Sequence, residues 1–218
     1  HDYTIKWSLC QMFRRFFGAL FLCFTWQTTM FLSVLWTRGR KQIMLYKDIV
    51  ISMYTKLLGK ALKKQLIDAH ILQNQIGYDD SDGEVILLSE TTVGQILKGN
   101  RNMSYNAILA FQSTLNYQTP KELFLQDDSF KIQLLTQLTT LILTDSTFDN
   151  TLLRQTLNPK INDFSAKNIQ NFIQSHNKIF LTALSNFFPD FLEEETSFEV
   201  AEKITDWLSE FACLISQL

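Results

Sequence analysis

Thr91, Gln95 and Lys98 lie four and three residues apart within SETTVGQILKGNRNMS, residues 89–104. At helical spacing they share a surface, and Val93, Ile96 and Leu97 make the apolar side of the same helix. No nucleophile stands beside a base here, so the chemistry open to these side chains is recognition. Hydroxyls and an amide pair with flat donor and acceptor arrays, and the Lys98 and Arg101 cations that follow suit anions. The stretch is too short, and too polar outside its three apolar residues, to exist only as a core helix.

Few other residues suggest a reaction. Cys10, Cys23 and Cys213 are far apart and form no CxxC, so neither a disulfide framework nor a zinc site is signalled, and a reduced, cytoplasmic setting follows. His1, His70 and His176 are isolated. There is no phosphate loop, GxGxxG, HExxH or GxSxG. DDSDG near residue 80 lacks the spacing and terminal Glu of a calcium loop. Glu193, Glu194 and Glu195 read as a solvated helix entry rather than a paired-carboxylate site. We therefore expect no catalytic residue, no metal and no cofactor.

The elements that must position the opening stretch are helices. Gly and Pro number 7 and 3, and apolar residues recur at three and four, so the expected class is all-α. Residues 54–69 make an amphipathic helix on Leu57, Leu58, Ala61, Leu62, Leu66 and Ala69. Its lysines Lys56, Lys60, Lys63 and Lys64 read as a solvated basic face. ILQNQIGY, residues 71–78, reads as a short second helix ending at Gly77. Ser89, Ser104 and Thr119 are expected to cap the next three helices, the last with Pro120 at its first position. Further helices are expected at 130–143 after an Asp128 cap, near 147–157, over 165–187, and at 197–217 with Thr196 and Glu199 as a capping box. Phe164, Phe172, Phe180, Phe187 and Phe188 are expected in the core.

Charge is unevenly placed. Residues 1–52 hold seven Lys/Arg and two acids, residues 53–106 six of each, and residues 107–218 seven and fourteen. An acidic C-terminal half repels polyanions, so a nucleic-acid surface must lie earlier. Residues 1–43 differ in composition from the rest. Residues 16–36 carry no charge over 21 positions, enough to cross a bilayer. A membrane anchor is one expectation for this segment. Upstream sequence read in frame, with Met44 or Met53 as the true start, is the other.

The order of segments from 54 to 124 resembles the helix-turn-helix domain of the phage-repressor family, also called XRE or Cro-like. The matching pieces are LLGKALKKQL, LQNQIGY, LSETTVGQILKGNRNMSYNAILAFQSTLN and TPKELF, about a third of the chain. The resemblance implies a lambda-repressor-like five-helix DNA-binding domain at 53–126, followed by an α-helical bundle at 128–218 for dimerisation or sensing. It implies that Glu90, Thr91 and Gln95 face bases and that Thr92 carries a structural or phosphate-facing hydroxyl. Lys98, Arg101, Asn102, Ser104 and Asn106 would grip phosphates. The implied function is sequence-specific binding of double-stranded DNA as a homodimer that regulates transcription, with an unknown effector or protein partner for the C-terminal domain. The alternative is a helical protein-interaction module on the same scaffold, antitoxin-like or a sensor adaptor, membrane-tethered if 16–36 is an anchor. Residues 79–87 depart from the family: they lengthen the link between its second and third helices and include four acids.

Overall fold

The computed structural model describes residues 27–77, 88–161 and 163–217, with side chains described from 46 to 210. Two compact units divide the chain, residues 1–43 and residues 44–218. In the first, residues 27–43 are helical. Most of the candidate membrane segment 16–36, and all of the acidic loop 79–87, lie outside the described residues. Among the described residues no helix is long and apolar enough to cross a membrane.

All regular elements among the described residues are helical. They are α1 (Gln27–Asp68), α2 (Glu90–Leu97), α3 (Tyr105–Thr114), α4 (Pro120–Leu125), α5 (Asp128–Thr144), α6 (Leu152–Leu157), α7 (Ala166–Ser175), α8 (Asn177–Asn186) and α9 (Ser197–Gln217). Single 3-10 turns lie at Gln73–Gln75 and Ser146–Phe148.

The apolar stripe of α1 buries Val50, Tyr54, Leu57, Leu58, Leu62 and Leu66. It meets Val93, Ile96 and Leu97 of α2, Ile108 and Phe111 of α3, and Phe124 of α4 in one continuous core. That core extends through α5, which packs on α6, α7 and α8, while α9 packs on α6 and α8. α9 also reaches α1: Trp207 meets Tyr54 edge-on, with ring centroids 6.4 Å apart. Lys47 pairs with Asp206 at 2.5 Å on the same flank.

Caps set the boundaries. Ser89, Ser104 and Thr119 accept from Thr92, Ala107 and Glu122 N–H groups. Thr196 and Glu199 form the reciprocal capping box at the start of α9. α2 ends in a Schellman motif, with Asn100 N–H donating to Gln95 and Gly99 N–H to Ile96. Gly99 takes the left-handed φ of 70° that this motif needs.

Several expected elements differ. The second helix is only the 3-10 turn Gln73–Gln75: Gln75 Oε1 accepts the Leu72 N–H at 2.6 Å as a helix start would have it, but Ile76 leaves in extended backbone and Gly77 takes a left-handed φ of 85°. α1 stops one residue earlier, at Asp68 before a left-handed His70 with φ 57°, so Ala69, expected in the apolar stripe, is outside the helix and exposed. Asp127, not Asp128, caps α5, accepting from Phe130 N–H at 2.7 Å. The helix expected over 165–187 breaks at His176. There Ser175 Oγ donates to the Phe172 carbonyl at 2.8 Å, diverting that acceptor from the ladder. The segment at 147–157 is a 3-10 turn and then α6. Of the aromatic stripe, Phe180 is fully buried and Phe172 and Phe188 are half-buried, but Phe164 and Phe187 are exposed on the outer side of their turns.

Candidate nucleic-acid interface

α2 buries its apolar side in the core, and the turn Gln73–Gln75 packs on it as well. Val93, Ile96 and Leu97 are buried, while Glu90, Thr91 and Lys98 are exposed and Gln95 is half-buried. The crossing with α1 is unusually close. A Cβ on Gly59 would lie 2.7 Å from the Ile96 carbonyl oxygen and 2.8 Å from that of Leu97. The α2 C-terminus thus rests directly on the α1 backbone, with Thr55 Oγ1 donating to the Gly99 carbonyl at 3.3 Å.

That crossing decides which side chains share the surface. Lys56, Lys60, Lys63 and Lys64 follow one another at helical spacing along one exposed edge of α1. Lys56 is at the α2 exit, because Gly99 packs against its backbone. Lys98 and Arg101 continue the cationic run from α2. None of these six makes an ion pair among the described residues. Lys47, Lys131, Arg154 and Lys203 do. The sequence assigned the α1 lysines to plain solvation. Gly59 within the helical pattern was the available sign that another backbone approaches there.

The remaining site residues divide by role. Thr92 is held in place: its Oγ1 lies 3.0 Å from Ser89 Oγ and accepts from Arg101 Nη1 at 3.3 Å. Arg101 is thereby turned back along α2 rather than away from it. Ser104 is the α3 cap, its Oγ accepting Ala107 N–H at 3.4 Å. Asn102 is half-buried beside Met103, facing Val200 and Ile204 of α9 across a narrow cavity. Asn106 is exposed on the first turn of α3. The arrangement brings Glu90, Thr91, Gln95, Lys98 and Arg101 onto or beside the open side of α2, and sets Asn102 toward α9.

Among the described residues no group of His, Cys, Asp and Glu could hold a metal ion. The pKa shifts lie away from α2. Burial pushes the Tyr54 hydroxyl far above its ordinary range, and it donates to the Phe124 carbonyl at 2.8 Å. The Asp206 hydrogen bond raises Lys47, against partial burial. Hydrogen bonds from Thr147 lower Asp145, and those from Thr196 lower Glu199. No family model matches this chain, and no curated protein or solved structure matches it.

Proposed function

We propose that this chain is a double-stranded-DNA-binding regulator of transcription, related to the phage-repressor helix-turn-helix proteins, with α2 as the recognition helix. The observation that carries the reading is a set of six exposed cations with no ion pair among the described residues: Lys56, Lys60, Lys63 and Lys64 along one edge of α1, and Lys98 and Arg101 at the exit of α2, which Lys56 adjoins. Such cations on one surface fit a phosphate backbone, whose binding releases counterions. Thr91 and Gln95 offer a methyl contact to thymine and a bidentate amide for adenine. One such helix covers only a few base pairs, so a two-fold dimer reading two half-sites is part of the proposal.

The test is selection from a random duplex pool with the full chain and with Gln95→Ala/Arg101→Ala, at two salt concentrations. A two-fold symmetric site enriched by the unmodified chain alone supports the reading. No enrichment at low salt rejects it. A second reading, a protein-interaction module on the same scaffold, is favoured by the exposed apolar side chains of Leu152, Leu192 and Phe198. Pull-down of a defined protein partner with no salt-sensitive DNA binding would establish that reading instead.

A further inference from the structure

The turn after α2 leads into the N-terminus of α3, where first-turn N–H groups face outward and favour an anion. Ser104 caps the Ala107 N–H, and a second of them is also taken. Tyr105 N–H donates at 2.8 Å to the backbone carbonyl of Glu195. Glu195 belongs to the strap 190–196 that joins α8 to α9. Lys203 of α9 ties the strap down, donating to the Asp190 carbonyl at 2.8 Å and pairing with the Glu195 carboxylate. Phe188 and Phe191 anchor its start on Phe124, and Phe188 also meets Trp207.

The closed strap carries local costs. Glu194 holds a φ of 68°, a left-handed conformation that a Glu adopts reluctantly. The Glu195 side chain is 9% exposed, and its second carboxylate oxygen is buried without a donor. Behind the strap a cleft of about 690 Å³, lined in part by Tyr105, Lys121, Asn186, Asp190 and Phe191, leaves it unsupported on that side. Glu193 and Glu194 are exposed. The strap thus sets the Glu195 carbonyl, with exposed Glu193 and Glu194 just before it in the chain, on Tyr105 of the segment 101–106, whose Arg101, Ser104 and Asn106 are the expected phosphate contacts.

We propose that residues 190–196 are an autoinhibitory strap, which holds the α3 N-terminus in place of a DNA phosphate and must lift before tight binding. The proposal rests on the DNA-binding reading above. A phosphate arriving at Tyr105 would compete with the Glu195 carbonyl for the N–H and meet the repulsion of Glu193 and Glu194. The unsatisfied carboxylate oxygen and the strained Glu194 lower the cost of opening it against its ties to Lys203 and Phe124.

The experiment uses the full chain, a labelled random-sequence duplex, and fluorescence anisotropy across a NaCl series. Glu195→Gln/Lys203→Met unties the strap while replacing both members of the ion pair. Glu193→Gln/Glu194→Gln, at exposed positions, removes charge and leaves the ties. Hydrogen exchange at the Tyr105 amide reports opening independently of DNA. The untied variant is expected to exchange Tyr105 faster and to bind duplex roughly ten-fold tighter, as when a closed fraction is removed. The charge variant is expected to tighten binding by roughly two- to four-fold, most visibly at low salt. If the unmodified chain binds with salt dependence and neither variant binds tighter, the strap is overturned while the DNA reading stands. If none of the three binds at low salt, the DNA reading itself fails and the strap falls with it.

Discussion

Gly99 packs so tightly on Lys56 that a Cβ on the glycine would stand 2.5 Å from the Lys56 Cα. Gly59, one turn on in α1, meets the last carbonyls of α2 in the same way. The two glycines therefore fix the seat of α2. Gly→Ala inside a helix ordinarily stabilises by about 1 kcal/mol. At Gly59 the sign reverses, since backbone must shift: Gly59→Ala is expected to cost ~1–3 kcal/mol, the range of overpacking. Gly94 is the control. A Cβ on this α2 residue would meet only Gln73 Oε1, at 3.6 Å, so Gly94→Ala is expected to stabilise. Urea melts of both variants decide the matter, and equal signs would refute the close crossing.

Thr139 of α5 is 0% exposed and its hydroxyl meets no partner among the described residues. Thr139→Val keeps the branched shape and removes the unmatched polar atom. A gain of about 1 kcal/mol is expected from the desolvation cost of an unpaired hydroxyl. A loss in thermal unfolding would mean that the hydroxyl has a bonding partner.

Tyr54 links stability to alkaline pH. Its hydroxyl is buried, and burial holds its folded pKa well above the ordinary 10.0. The unfolded chain ionises Tyr54 first, so the contribution is fully present below pH 10 and is lost as pH rises through the folded pKa. Tyr54→Phe should lose about 1 kcal/mol at neutral pH, the net worth of one buried hydrogen bond to the Phe124 carbonyl. It should also flatten the alkaline limb of a stability-against-pH curve. An unchanged alkaline limb would place the titration elsewhere.

If α2 reads DNA, its cations and its amide have separable signatures. Lys98→Ala, Arg101→Ala and Lys60→Ala should each lower the slope of log affinity against log salt by roughly 0.9, one phosphate contact apiece. Gln95→Ala should leave that slope unchanged and relax the preference at one base position, by ~1–3 kcal/mol of discrimination. A slope change at Gln95, or none at the three cations, would reassign the surface.

The helix starts at Ser89, Ser104 and Thr119 were legible because a cap acts within three residues, and so was the apolar side of α2. The break at His176 was not. Phe172, Phe180 and their neighbours keep the helical period through it, and the side chains of Ser175 and His176 both turn to the Phe172 carbonyl where the ladder breaks. Residues 71–78 misled because Gly77, expected to end a helix, ends a single turn instead, with Ile76 before it already in extended backbone. Within the candidate site, the polar side chains of α2 could be read from spacing. Their lysine neighbours on α1 could not be placed, since a crossing at Gly59 depends on carbonyls at Ile96 and Leu97. The bond from Tyr105 to Glu195 spans a still longer stretch of sequence and leaves no local pattern at all.

Trp207 on Tyr54 and Asp206 on Lys47 have a consequence for synthesis. The ion pair joins positions 159 residues apart. A ribosome delivers α1 to α4 well before α9, so Tyr54 leaves the exit tunnel with one face of its ring bare. Non-local closures of this kind are slow and leave apolar surface open to aggregation. The segment that carries α2 therefore emerges early but completes its core late. A nascent chain stalled before Trp207 should be a client of chaperones and an easy target for proteases.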